Sequence, residues 1–359
     1  GFIPVGSSHG FSDKWPHVYV NGACVKVKSV FLFYSVLDSG DLSCGDLVEL
    51  ISNNILLSSV AECLDTNIYE VMIRIKRIDY PSLYDSFEFK ISQTTSRMII
   101  SKPLLQQYYF EADSFDYLVY PCLSHNAFGH GSSFLYDFYQ SIGAKGFVFH
   151  SFSDIPSHFD ASISCFCLEY SDHFLDFYQK NLIPTIYSQD QLSLLLDSNL
   201  PFSMISFYIC DTYDHIGLDL SDCYFILSTY QSKLKDTQVV LVLDSSAASF
   251  FKATDLNQLI DAFDLNLLCV GDFLDSDLLD LCDFYSPFSD LYGWHSGLKP
   301  CLNWTCDLSQ IKQIEKDDFV SYENSYQAKE SHLIGIIPVG YADGFVRAPF
   351  HWGAVSIHD

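Results

Sequence analysis

The run Ser124-His125-Asn126-Ala127-Phe128-Gly129-His130-Gly131 places a hydroxyl, an amide and two imidazoles among glycines, directly after the apolar stretch 117–123. Residues 134–142 then take up helical spacing. A strand that empties into a polar turn and then a helix puts that turn at the carboxyl end of a sheet or barrel, where α/β enzymes hold their reacting groups. Asn126 and His130 also have a plainer reading, as capping or core hydrogen-bonding groups. In a second polar cluster, Ser245-Ser246-Ala247-Ala248-Ser249, Ser246 has a plain reading as a helix N-cap. The twelve cysteines include no Cys-x-x-Cys pair, and no ligand spacing for a metal is present, so buried thiols in a reducing compartment are expected.

The elements that must position these groups fall into three stretches. Residues 1–85 read as a small β-rich domain: 18–22 and 25–33 flank an Asn-Gly turn, 44–51 continues it, 57–64 is helical and 68–75 returns to strand. Between 86 and 295 short apolar runs at 145–150, 163–168, 204–210, 224–229 and 239–243 read as strands buried on both faces. They alternate with helical spacing at 172–180, 189–198 and 255–263. From 296 to 359 strand character returns, at 298–304, 311–314, 320–322 and 333–339. The opening Gly1-Phe-Ile-Pro-Val-Gly-Ser-Ser-His-Gly-Phe11 reappears as Gly335-Ile-Ile-Pro-Val-Gly-Tyr-Ala-Asp-Gly-Phe345.

Composition bounds the partners. With 45 acidic and 19 basic residues the chain carries a net charge of −26, which repels nucleic acid and anionic membranes. No apolar run reaches the length of a membrane span, and no signal-peptide pattern precedes the first strands, so a cytoplasmic protein is expected.

The stretch 124–131, together with Gly143-Ala-Lys-Gly-Phe-Val-Phe-His150, resembles the cofactor-lysine segment of alanine racemases, in which Lys, Ala, Asn, Ala, Tyr, Gly, His, Gly ends the first barrel strand; Asn126, Ala127, Gly129, His130 and Gly131 match it. Val320, Ser321, Tyr322 and Tyr326, then Gly340-Tyr-Ala-Asp-Gly-Phe345, are similar to that family's entry into its C-terminal β-domain, and 1–85 to the latter part of that domain. The resemblance implies an α/β fold, a (β/α)8 TIM-like barrel over 86–295 plus a β-rich domain of the alanine racemase C-terminal type, divided between 1–85 and 296–359. Two origins stay open: a window from a tandem array of racemase-like copies, or a circular permutation in which 1–85 completes the domain begun at 296.

The same resemblance implies the site residues. Ser124 stands where the family has the lysine that holds pyridoxal phosphate, and a hydroxyl cannot form an imine. Ser228 falls where the family has a histidine, Cys269 where an arginine faces the cofactor ring, and Phe128 where a tyrosine meets the phosphate. Tyr322, the second base, is retained, as are Ser246, Gly271 and Tyr69 at phosphate positions and Asp211-Thr212, Tyr341, Asp343 and Arg347; Phe33 and Tyr34 replace a Met-Asp pair. The expectation is a catalytically inactive racemase-like chain in an assembly or binding role, with no cofactor. It would form a homodimer, or a heterodimer in which Tyr322 is lent to a racemase-like partner's active site. The alternative is an active pyridoxal phosphate-dependent amino-acid racemase using a substitute lysine, Lys145 or Lys102.

Overall fold

The computed structural model of the chain describes residues 2–3, 11–30, 35–38, 48–50, 57–66, 71, 96–160, 163–171, 175, 182–198, 200–210, 216–272, 276–295, 297–321, 324–345 and 355–357. These form two compact units, one made of residues 1–99 with 303–359 and the other of 100–302. The expected strand at 68–75 and helix at 172–180 lie outside the described residues except for single positions.

The second unit is a parallel barrel. Its strands are β7 (Leu118–Val119), β8 (Gly146–Phe149), β9 (Ser164–Cys167), β10 (Leu182–Ile186), β11 (Met204–Ile209), β12 (Gln238–Asp244), β13 (Asn266–Val270) and β14 (Phe284–Ser286). They run in spatial order β7-β14-β13-β12-β11-β10-β9-β8, and a parallel bridge from Cys122 to Val148 joins the two ends. The apolar runs are continuous because both faces of each strand are buried. In β12, Val240 and Val242 point inward with Leu268, Val270, Phe166 and Ile183, while Val239, Leu241 and Leu243 point outward against the helices. Burying one such aliphatic side chain contributes about 1.5–3 kcal/mol, so a barrel of these runs is specified by pattern more than by particular residues.

One expected strand is a helix. Residues 224–229 lie inside the helix Leu220–Leu234, not in the barrel wall. The reason is legible in the periodicity: Cys223, Ile226, Leu227 and Leu234 are its buried residues, a helical spacing and not an alternating one. Asp219 caps it, its carboxylate accepting the Asp222 N–H at 2.7 Å.

The first unit holds two sets of strands. Near the amino end, β1 (Phe2–Ile3), β2 (Val18–Val20), β3 (Ala23–Val30), β4 (Ser35–Asp38) and β5 (Val48–Glu49) form one sheet in the order β1-β4-β3-β2-β5. Its core is Phe11, Trp15, Val18, Val20, Val25, Val27 and Leu37 with Val60, Ala61 and Leu64 of the helix Leu57–Cys63 and its exit. Near the carboxyl end, β6 (Ser96–Ile100) pairs with β15 (Leu302–Cys306), β16 (Gln310–Ile314) with β19 (His332–Ile336), and β17 (Phe319–Val320) with β18 (Tyr326–Gln327).

Candidate functional site

The carboxyl ends of the barrel strands bring Ser124, His150, Glu169, Asp244, Ser245, Gly271 and Asp272 to one end of the barrel. Ser124 closes the loop after β7 and is fully buried. Its Oγ lies 2.7 Å from His150 Nδ1, accepts the His150 backbone N–H at 2.8 Å and sits 3.1 Å from Cys122 Sγ. A hydroxyl in hydrogen-bond reach of an imidazole is the geometry of an activated nucleophile. Here it is a fastening instead, because no surface of Ser124 is open to a substrate. Burial sets the charge state of the group: desolvation, then the neighbouring His125, lower the His150 pKa to about 3, and desolvation pushes the Cys122 thiol up to about 12. The imidazole is therefore neutral and the thiol protonated at neutral pH.

The turn after Ser124 is wound the wrong way. His125, Asn126, Ala127 and Phe128 all have positive φ, between 51° and 55°. Left-handed backbone costs an L-residue about 1–2 kcal/mol, so consecutive residues in it persist only where neighbours over-determine them. Asp154 supplies the main constraint, its carboxylate accepting the N–H of His125 at 2.9 Å and of Asn126 at 3.2 Å. Asn126 contributes as a cap: its Oδ1 accepts the Ser132 N–H at 3.0 Å at the start of the helix Ser132–Ser141. His130 is buried with Nδ1 on the Ala127 carbonyl at 3.0 Å, and desolvation lowers its pKa. The core readings of Asn126 and His130 describe these contacts.

Two further carboxylates act the same way. Glu169 accepts the Ser151 hydroxyl at 3.0 Å and the Phe152 N–H at 2.6 Å, and Asp272 accepts the N–H of Phe288 at 3.1 Å and of Ser289 at 2.7 Å. Sequence reasoning does not single out His150, Asp154, Glu169 or Asp272. The one signal for the three carboxylates is an acidic residue within a few positions of each apolar run, which in isolation reads as ordinary turn composition. Among the described residues at these strand ends there is no lysine or arginine.

The remaining sequence-derived positions scatter. Ser228 is exposed on the helix Leu220–Leu234, so its expected place among the site residues is corrected: it lies outside the barrel wall, on a helix whose composition reads as a strand. Cys269 is fully buried but faces the helix layer with Leu267, since alternation turns Leu268 and Val270 inward. Phe128 packs its ring against Phe288, Tyr292 and Trp294 with centroids 5.0–5.4 Å apart. Gly271, at φ +98°, gives its N–H to the Ser286 carbonyl at 2.9 Å, and a Cβ there would fall 2.2 Å from Ser245 Oγ. Ser246 is exposed and gives its N–H to Asp244 Oδ1 at 2.8 Å. Lys145 is exposed just before β8, at the amino end of that strand, and Lys102 begins the helix Lys102–Ala112 with its Nζ 5.1 Å from the centre of the Phe134 ring. Tyr322, Tyr69, Asp211, Thr212, Arg347, Phe33 and Tyr34 lie outside the described residues. No helix among the described residues is long and apolar enough to cross a membrane, and no cluster of metal-ligating side chains occurs among them.

Known proteins resemble the chain in two ways, by sequence over its carboxyl end and by fold over most of its length. Residues 301–359 match the family described as alanine racemase, C-terminal domain. The alanine racemase of Streptococcus mutans is 44% identical over 50 residues, 14% of either chain, and that of Thermodesulfovibrio yellowstonii 39% over 69 residues, 19% of either. The chain thus covers under a fifth of the length of these curated relatives. Solved structures cover far more at lower identity. The alanine racemase of Bartonella henselae, with covalently bound pyridoxal phosphate, superposes with a TM-score of 0.61 at 16% identity over 71% of this chain and 78% of that one. The E. faecalis enzyme does so at 0.58 and 18%, over 70% and 77%. Residues 301–359 thus resemble the alanine racemase C-terminal domain in sequence, and the fold over about 70% of the chain is that of solved alanine racemases.

Proposed function

We propose that this chain is an alanine racemase-like protein without pyridoxal phosphate catalysis, retained for assembly or binding in the cytoplasm. One observation carries the reading. Ser124, which the resemblance sets at the cofactor-lysine position, is fully buried and its Oγ is engaged by His150 and Cys122. That position offers neither an amine nor access for an aldehyde.

The other residues present do not fit the cofactor either. A phosphate needs unspent donors, yet the N–H groups of Ser245, Ser246 and Gly271 are given to the Val270 carbonyl, the Asp244 carboxylate and the Ser286 carbonyl. Asp154, Glu169, Asp244 and Asp272 would oppose an incoming dianion without a compensating cation among the described strand-end residues. The alternative of a substitute lysine draws no support from position. Lys145 sits at the amino end of its strand, opposite the end that carries Ser124, and Lys102 lies in a helix with its ammonium over aromatic rings. The test is a visible absorbance scan of the purified chain with pyridoxal phosphate, with racemisation of L-alanine followed in parallel. The spectrum of free pyridoxal phosphate and no racemisation are expected; an added imine band or turnover would restore the enzyme.

A second reading, that the chain lends Tyr322 to a racemase-like partner in a homodimer or heterodimer, has its own support. Val320 pairs with Tyr326, so the described strands β17 and β18 stand on either side of position 322 in the sequence. Co-purification with an active racemase whose rate drops on Tyr322→Phe is the expected result; an unchanged rate removes the reading.

A further inference from the structure

The internal repeat equates two strands that the fold uses differently. Phe2 and Ile3 of the first copy correspond to Ile336 and Ile337 of the second. In the amino-terminal sheet, β1 is an edge strand of just Phe2–Ile3, antiparallel to β4 in the register Phe2 to Val36 and Ile3 to Ser35. In the carboxyl-terminal ribbon, the equivalent β19 runs His332–Ile336 and pairs, among the described residues, with β16 alone. So the same sequence meets β4 on one side in one copy and β16 in the other. A sheet satisfying both relations has one such strand between a β16 and a β4.

Among the described residues one edge of β19 is unpaired. Its Ile336 carbonyl accepts the Ser309 N–H at 2.8 Å on the β16 side. Alternation along a strand then turns the backbone groups of Leu333 and Gly335 to the opposite edge. One face of the ribbon is apolar and open: Ile311 stands opposite Gly335 and Leu333 opposite Gln313, with Ile311 60% and Leu333 65% exposed. Leu308, 42% exposed, lies over Gly335, where a Cβ would come within 2.8 Å of its Cδ2. Within the paired residues 310–314 and 332–336 that face carries no charge, in a chain of net charge −26. These residues also belong to the stretch matched in sequence to the alanine racemase C-terminal domain.

We infer that β19 of one chain takes the place of β1 against β4 of a second copy, in the register Ile336 to Val36 and Ile337 to Ser35, bringing β16 with it. The displaced strand is the shorter one, so the exchange gives up a two-residue pairing and gains a longer strand with an apolar face. The occupant is a second copy because within a single chain β1 holds that place, although β19 belongs to the same compact unit. The contact joins a carboxyl-terminal edge to an amino-terminal sheet, so it is head-to-tail and gives a ring or a longer array. This deepens the assembly reading above and rests on it. Its test reads mass and not cofactor, so it can fail while the absence of catalysis stands.

Sedimentation velocity of the full chain over a range of concentrations is expected to show masses of two chains or more. Leu333→Pro removes an N–H that faces the free edge without touching the β16 bonds, and Leu333→Lys puts a charge on the apolar face while keeping the backbone; both are expected to return the chain to monomer. Phe2→Pro, which weakens the strand to be displaced, is expected to leave association unchanged or raise it. Amine cross-linking of mixed isotope-labelled and unlabelled chains is expected to join Lys312 or Lys329 of one chain to Lys26 or Lys28 of another. A monomer at every concentration, an oligomer indifferent to Leu333→Lys, or cross-links confined to single chains would each overturn the inference.

Discussion

The barrel end and the carboxyl-terminal ribbon are opposites in how they use their polar and apolar groups. At the barrel end, described backbone donors and carboxylates are matched internally: Asp154 with the left-handed turn, Glu169 with Phe152, Asp272 with Phe288 and Ser289, and Ser246 with Asp244. In the ribbon, four of the five residues of β16 are exposed and β19 presents an unoccupied edge among the described residues. Yet the ribbon lies within residues 301–359, which match the family by sequence, whereas over the larger aligned region the solved racemases are only 14–18% identical. The difference shows which constraint acts where. A barrel wall is specified by alternating burial that many aliphatic residues satisfy, so sequence drifts while shape persists. A ribbon whose side chains are largely exposed lacks that burial constraint, and the proposed strand exchange offers one source of constraint in its place.

That contrast can be broken by experiment, beginning with the largest effect. Ser124→Lys would place an ammonium in a fully buried site already filled by His150 and Cys122. Burying an uncompensated charge costs several kcal/mol, so denaturant unfolding should show a loss of about 3–5 kcal/mol and no cofactor imine should form. A stable variant that takes up pyridoxal phosphate would mean the site is open after all.

Acid should act next. The folded His150 pKa of about 3 lies below its ordinary 6.5, so the unfolded chain binds the proton more readily. The stability from keeping this group neutral is complete above pH 6.5 and is lost as pH falls toward 3, a change on the order of a few kcal/mol. Asp154, raised by burial, opposes this over the carboxylate range, because it binds its proton more readily when folded. Unfolding free energy measured across pH 3–7 should therefore fall with acid, and His150→Gln should flatten that slope.

Asp154→Ala should cost about 1–3 kcal/mol by leaving the His125 and Asn126 donors without their acceptor in a strained turn. In the ribbon, Ile311→Ser should change the unfolding free energy of the isolated chain by about 0.5 kcal/mol or less, since the side chain is already exposed. A loss as large as that of Asp154→Ala would show that the ribbon face is covered within one chain and would erase the contrast.

Much of the barrel is legible in the sequence because two-sided burial leaves unbroken apolar runs. The runs at 145–150, 163–168 and 204–210 contain β8, β9 and β11, and the run at 239–243 lies inside β12. Residues 224–229 read as a strand because Tyr, Phe and Ile suit a strand as well as a helix; the cap at Asp219 and the spacing of Cys223, Ile226 and Leu227 settle them as helix. With that strand gone from the barrel wall, Ser228 leaves the site as well. Cys269 does lie in a strand, but which way a strand residue faces depends on register, and one step turns it to the helix layer.

By itself the sequence carried the alternating apolar runs, the β-rich ends, a resemblance to alanine racemases that implies the barrel, and a serine without an amine at position 124. Tertiary structure alone decided that Ser124 is sealed by His150, that Asp154 holds a left-handed turn, and that, among the described residues, β19 pairs with β16 while its repeat, β1, pairs with β4. Those facts depend on residues far apart in the chain meeting at hydrogen-bond distance. Local composition does not encode such meetings.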